Sequence, residues 1–177
     1  MPEDLALPAA LAEVAEIGFD QEWDGLSEES WPCDFKLYQE LEALEETNSW
    51  LSLWTGNDEV DGRHFRFFGT TGAGDYVGFW LVRPIKSVTE QPVVYFDSEG
   101  DLDVVARDLD DLLWLFANGA APLEAVGNRE YKTIPNEAFR AIAEKYAPGK
   151  SRSTAEIVTA AQKEFPNFAE LIHGICQ

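Results

Sequence analysis

The stretch HFRFFGTTGAGDYVGFWLVRPIKSVTEQPVVYFDSEGDLDVVA, residues 64–106, decides the fold. Aromatic and β-branched residues crowd four short runs within it: His64 to Phe68, Tyr76 to Val82, Pro92 to Phe96 and Asp101 to Ala106. Such residues suit the pleated surface of a β-strand. Gly69 to Asp75 links the first two runs, and Ser98-Glu99-Gly100 the last two, with residues typical of turns. Links this short predict a mostly antiparallel sheet, because a parallel crossover needs a dozen residues or more.

Helical periodicity flanks the strands on both sides. Upstream, Pro8 to Ile17 places Leu11 and Val14 on one face with Leu7, and Gly18 follows as a stop signal. Asp34 reads as the N-cap of a second helix ending near Thr47-Asn48. Leu37, Tyr38, Leu41 and Leu44 would face inward, and Glu40, Glu42, Glu45 and Glu46 outward. Ser49 to Thr55, with Trp50 and Trp54, reads as a further strand.

Downstream, Asp108 caps a helix to Asn118 whose buried face is Leu109, Leu112, Leu113 and Phe116, closed by Gly119. Asp110 and Asp111 sit at the positive end of its dipole. A long connection, Gly119 to Thr133, leads to a helix over Pro135 to Ala147. Ser153 and Glu156 form a capping box for another, carrying Ile157, Val158, Ala161 and Phe165. A short helix runs from Asn167 to Gly174. The expectation is an α+β fold: a mostly antiparallel central sheet, N-terminal helices and a C-terminal helical extension over residues 132–177. The 177 residues suit a single domain.

Charge dominates the composition: 33 acidic against 13 basic side chains. Residues 1–60 hold 16 acids and one base, Lys36, whereas residues 121–177 hold seven of each. A field of this sign repels nucleic acid and anionic lipid, and it speeds the approach of a basic protein. Glu3 and Asp4 stand where a secretory signal needs cations, and the longest apolar run, Leu112 to Ala117, is too short to span a bilayer. Cytoplasmic residence is the expectation, with Cys33 and Cys176 as reduced thiols.

Motifs for chemistry are weak. The cluster Gly69 to Asp75 lacks the Lys-Ser/Thr of a phosphate loop, and a strand rather than a helix follows it, so a hairpin turn is expected. Asp97, Glu99, Asp101 and Asp103 lack the glycine and glutamate placement of a calcium loop. His64 and His173 have no partner at metal-ligand spacing. No catalytic, cofactor or metal residue is assigned. Most tryptophans read as core. Trp23 and Trp31 lie instead in an acidic, irregular segment, where a half-exposed indole can anchor an interface. The expected protein-binding set is therefore Trp23, Asp24, Glu28, Glu29, Trp31, Glu42, Glu45 and Glu46.

One resemblance adds to this. Trp54-Thr55-Gly56-Asn57, Phe65 to Gly69, Gly72-Ala73-Gly74, Phe79 to Arg83, Gln91 to Phe96 with Ser98-Glu99-Gly100, Val104-Val105-Ala106, and Leu112 to Gly119 occur in an order that resembles the SUKH superfamily. That superfamily includes fungal cell-wall-assembly regulators and many bacterial toxin-immunity proteins. The likeness covers roughly residues 50–127 and rests on turn glycines and core apolar positions. It implies a central sheet flanked by helices, no cofactor and no catalysis. It also implies neutralisation of a toxin, often a nuclease, by binding it. A regulatory or scaffolding role is the alternative, and a hydrolase with an unrecognised carboxylate pair is a third reading. The acidic N-terminal segment, residues 1–49, lies outside the likeness, where specificity for a basic toxin domain would reside.

Overall fold

The computed structural model describes residues 3–19, 33–126 and 133–177. At its centre is an antiparallel sheet of β1 (Lys36–Leu37), β2 (Phe65–Thr70), β3 (Tyr76–Trp80), β4 (Val93–Phe96) and β5 (Leu102–Ala106), paired in chain order. Both faces are covered. All four residues of β4 are buried, with Val93 and Tyr95 in one apolar cluster and Val94 and Phe96 in the other. That is why β4 reads as a continuous apolar run rather than an alternating one.

The first cluster is closed by α1 (Ala9–Ile17), α3 (Leu109–Ala117) and α5 (Glu137–Tyr146). The second is closed by α2 (Leu44–Thr55) and α7 (Phe168–His173). Helix α6 (Thr154–Glu164) packs along β5 and feeds both: Ile157 and Val158 enter the first cluster and Ala161 the second. No helix of the described residues is long and apolar enough to cross a membrane.

Local signals explain several boundaries. Asp108 caps α3 by accepting from the Asp111 backbone N–H at 2.9 Å, and the Ser153–Glu156 capping box starts α6. Gly119 turns the chain after α3 at φ +84°, where a Cβ would lie 1.9 Å from the Ile134 carbonyl oxygen. Asp111, 2% exposed, sits between Arg107 at 2.9 Å and Arg152 at 2.5 Å, so the two guanidinium groups offset the cost of burying its charge.

The β3–β4 connection contains the turn Arg83 to Lys86. The Gln91 amide braces it, accepting from the Arg83 N–H at 2.8 Å and donating to the Arg83 carbonyl at 2.8 Å and that of Lys86 at 3.3 Å. At its tip Ile85 is fully exposed and adopts φ +67°. A β-branched side chain rarely takes this left-handed conformation, because its Cβ crowds the backbone.

Three expectations are corrected. Residues 34–43 form no helix. The chain there runs extended beside β2, with the Tyr38 N–H donating to the Phe68 carbonyl at 2.8 Å and that of Glu42 to Phe67 at 2.9 Å. Phe35 and Leu37 are buried and Lys36 between them is exposed, the period of a strand. The open edge of β2 takes these backbone groups, and that long-range pairing overrides the local helical spacing. Asp34 caps no helix; its Oδ1 accepts from the Gly72 N–H at 2.9 Å. Ser49 to Thr55 is not a strand but the second half of α2, which buries Thr47, Leu51 and Thr55 at four-residue spacing. Finally, the long connection after Gly119 contains a short helix, α4 (Pro122–Val126).

Candidate protein-binding face

Helix α2 begins without a local cap. Ala43 precedes it, and its first free backbone donor, Leu44 N–H, is taken by Glu3 Oε2 at 3.0 Å. Glu45 and Glu46, both exposed, occupy its first turn, where the helix dipole favours negative charge. Glu46, Trp50 and Trp54 then follow at four-residue spacing, one above the other on the helix surface.

Both indoles are half-buried and fixed by specific contacts. Trp50 stacks on Tyr76 of β3 with ring centroids 3.9 Å apart and planes inclined by 23°. The rings of Phe67 and Phe96 meet it at 5.4 and 5.5 Å. Trp54 packs on Phe96 and donates its Nε1–H to the Asp97 carbonyl at 2.9 Å, tying α2 to the acidic β4–β5 turn. Exposed Glu99 and Asp101 follow in that turn. Tyr38, also half-buried, adjoins Tyr76 from the extended link before α2.

Glu42 stands among these rings. It is half-buried and its Oε2 accepts from the Thr47 hydroxyl at 2.8 Å. Burial raises its pKa, the Glu46 charge adds to the rise, and the contacts with Thr47 and Tyr76 partly offset it. Tyr76 and Tyr38 are raised by burial and by the nearby Glu42 charge. Two carboxylates thus repel one another beside three aromatic rings.

Acids outnumber bases among the described residues, and carboxylates elsewhere, Glu99 and Asp101 among them, also have no ion pair. Eight Lys and Arg side chains hold a carboxylate within 4 Å, among them Lys145 with Glu13 and Lys150 with Asp110. None of these ion pairs involves Glu42, Glu45 or Glu46. The face therefore offers half-exposed π-systems and carboxylates without a salt-bridge partner among the described residues.

Of the expected binding residues, Glu42, Glu45 and Glu46 are brought together here, with Glu42 turned inward towards Thr47 rather than outward from a helix. Trp23, Asp24, Glu28, Glu29 and Trp31 lie outside the described residues. Tyr38, Trp50, Trp54 and Tyr76 were not anticipated as a surface. The spacing 46, 50, 54 would have found three positions of this face had the segment been read as a helix.

The other candidates are structural turns. In the β2–β3 turn, Gly74 takes φ +88° and Asp75 is buried, accepting from the Thr71 and Tyr95 hydroxyls at 2.6 Å each and the Ser98 N–H at 2.8 Å. Burial works against its charge, but these hydrogen bonds together outweigh it and lower its pKa. Gly100 turns the β4–β5 hairpin at φ +107°. Among the described residues no group of His, Cys, Asp and Glu is disposed to hold a metal. His64 is exposed, 3.9 Å from Asp61, and His173 faces the Gly100 carbonyl at 3.1 Å. Both cysteines are free thiols. Burial and the charge of Glu124 push Cys33 up to about 12, and its Sγ–H donates to the Gly119 carbonyl at 3.3 Å.

No protein-family model matches this chain, and no curated protein or solved structure does.

Proposed function

We propose that this chain is an immunity-type binding protein, which acts in the cytoplasm by occluding a basic protein toxin, and that the aromatic, acid-rimmed face of α2 is its docking surface. The observation that carries this is the row Glu46, Trp50 and Trp54 beside Glu42, Tyr38 and Tyr76, half-exposed and with no ion pair to its acids. Interface centres favour Trp and Tyr, held rigid and ringed by polar groups. An excess of negative charge steers a cationic partner towards them. A nuclease that grips phosphates has the complementary sign, and the resemblance to the SUKH superfamily points to the same class of partner.

The test is co-expression of this chain with the basic toxin domain encoded beside it, scored by growth, and titration calorimetry of the purified pair at two salt concentrations. Growth rescue and an affinity that falls with salt are expected. Changing Glu45 and Glu46 together to Lys should weaken binding at least about tenfold and flatten the salt dependence. Absence of rescue and of binding would shift the reading to a regulatory or scaffolding domain. Rescue that the double variant leaves intact would move the docking surface away from α2.

A further inference from the structure

Two unrelated costs fall on a single residue in the β3–β4 turn. Among the described residues, Ile85 is the one non-glycine residue with a positive φ, at +67°. It is also the most exposed of the large apolar side chains, at 105% against 84% for Leu53, the next. Glycine or asparagine would meet that backbone with less strain, and an exposed turn calls for no aliphatic side chain. Neither packing nor turn geometry therefore accounts for isoleucine at this position.

The turn is fixed before any partner arrives. Gln91, 2% exposed, holds both of its ends through the N–H and carbonyl of Arg83 and the carbonyl of Lys86. The Arg83 guanidinium donates to the Glu90 and Arg107 carbonyls and pairs with Glu164 at the end of α6. Exposed Pro84 adds its own fixed φ beside Ile85. A tip ordered in this way loses little freedom on docking.

Its cations are already matched, Arg83 by Glu164 and Lys86 by Glu90 at 3.2 Å, so the tip is locally neutral on a chain of net charge −20. The complement of a neutral aliphatic knob is a concave, apolar, uncharged socket. A lipid surface fits less well, because one isoleucine buries too little area to hold it and the net charge repels anionic headgroups. We propose that Ile85 is an anchor that seats in an apolar socket of the partner protein, where burial of the side chain offsets the strained backbone. The partner is the toxin domain of the function proposed above; the contact itself does not depend on the α2 face.

Three variants test this. Ile85→Asn tolerates the left-handed backbone and removes the aliphatic group, Ile85→Gly relieves the strain, and Ile85→Val keeps most of the apolar surface. Each full chain is titrated calorimetrically with the toxin domain encoded beside it, at low and high salt, and its Tm is measured in parallel. Ile85→Asn and Ile85→Gly should each weaken binding at least about tenfold at both salt concentrations while the Tm of Ile85→Gly rises, and Ile85→Val should lose about threefold or less. A weaker complex from a more stable protein separates loss of an anchor from loss of the fold. Affinities within about twofold of the parent would overturn the anchor and leave toxin binding standing. A loss confined to low salt would also overturn it, because charge rather than burial would then be acting. Binding of the parent but not of Ile85→Asn to neutral phosphatidylcholine vesicles would replace the protein socket with a lipid surface. Absence of binding by the parent itself would overturn the proposed function and, with it, the partner assigned to Ile85.

Discussion

Glu42 answers two opposed demands. As a contact for the proposed cationic partner it is more useful charged; as a half-buried group beside Glu46 it is more stable neutral. A folded-state pKa above the unfolded value means that its contribution is fully present below the unfolded pKa. The contribution is lost as pH rises through the folded pKa. Glu42→Gln keeps an oxygen to accept from Thr47 and never ionises. The variant should therefore match the parent near pH 4 and exceed it at pH 7.5, by roughly 1 kcal/mol or less, in thermal unfolding followed by circular dichroism. A stability gain coupled to a loss of binding is what a functional carboxylate predicts. Asp75 has the opposite sign. Its pKa is lowered, so its stabilisation is present at neutral pH and lost as pH falls through that value.

Ile85 is a second residue at which the folded state carries a local cost. The left-handed conformation costs an L-residue about 1–2 kcal/mol, and glycine adopts it freely while losing about 0.5–1 kcal/mol of chain entropy. Ile85→Gly should raise stability by up to about 1 kcal/mol, and Tm by about 2–4 °C for a chain of this size. A lower Tm would show that the Gln91 brace, not strain, governs the turn.

At the scale of elements, α2 shows where sequence reasoning succeeds and where it stops. The four strands of residues 64–106, the Asp108 cap, the Gly119 stop and the Ser153–Glu156 box were legible because each signal lies within a few residues of what it controls. The start of α2 was not, because its cap comes from Glu3, 41 positions upstream. The extended course of residues 34–43 was equally hidden, since Leu37, Tyr38, Leu41 and Leu44 satisfy helical spacing. Only the free edge of β2 decides between the two. The proposed docking face inherits this: its acids were legible as charge, while its aromatic row depended on placing α2. Glu3→Ala should cost about 0.5–1 kcal/mol and weaken partner binding by fraying the first turn, read as lower helicity and faster exchange of the Leu44 amide.

For the molecule as a whole, the distribution of charge matters more than its sum. Ion pairs join distant parts of the described surface, as Lys145 does with Glu13 and Arg83 with Glu164, while the α2 face has none. Repulsion across a chain with a net charge of −20 opposes compaction. Added salt should therefore stabilise the free protein even as it weakens a complex with a basic partner. Thermal unfolding at 20 and 300 mM salt measures the first effect on the chain alone.

Strands β2 to β5 form a meander with short links, whereas α2 is fastened at one end by Glu3 and at the other by segments more than a hundred residues away. The Asn57 side chain donates to the Ile175 carbonyl, 118 positions on, and the Gln177 N–H donates to that of Thr55 at 2.9 Å. Short-range pairings close early in folding and long-range ones late. On this logic the proposed docking face would be completed after the scaffold that carries it, and a partly opened chain would have no affinity to offer. Binding of the proposed partner would then report on the completed fold.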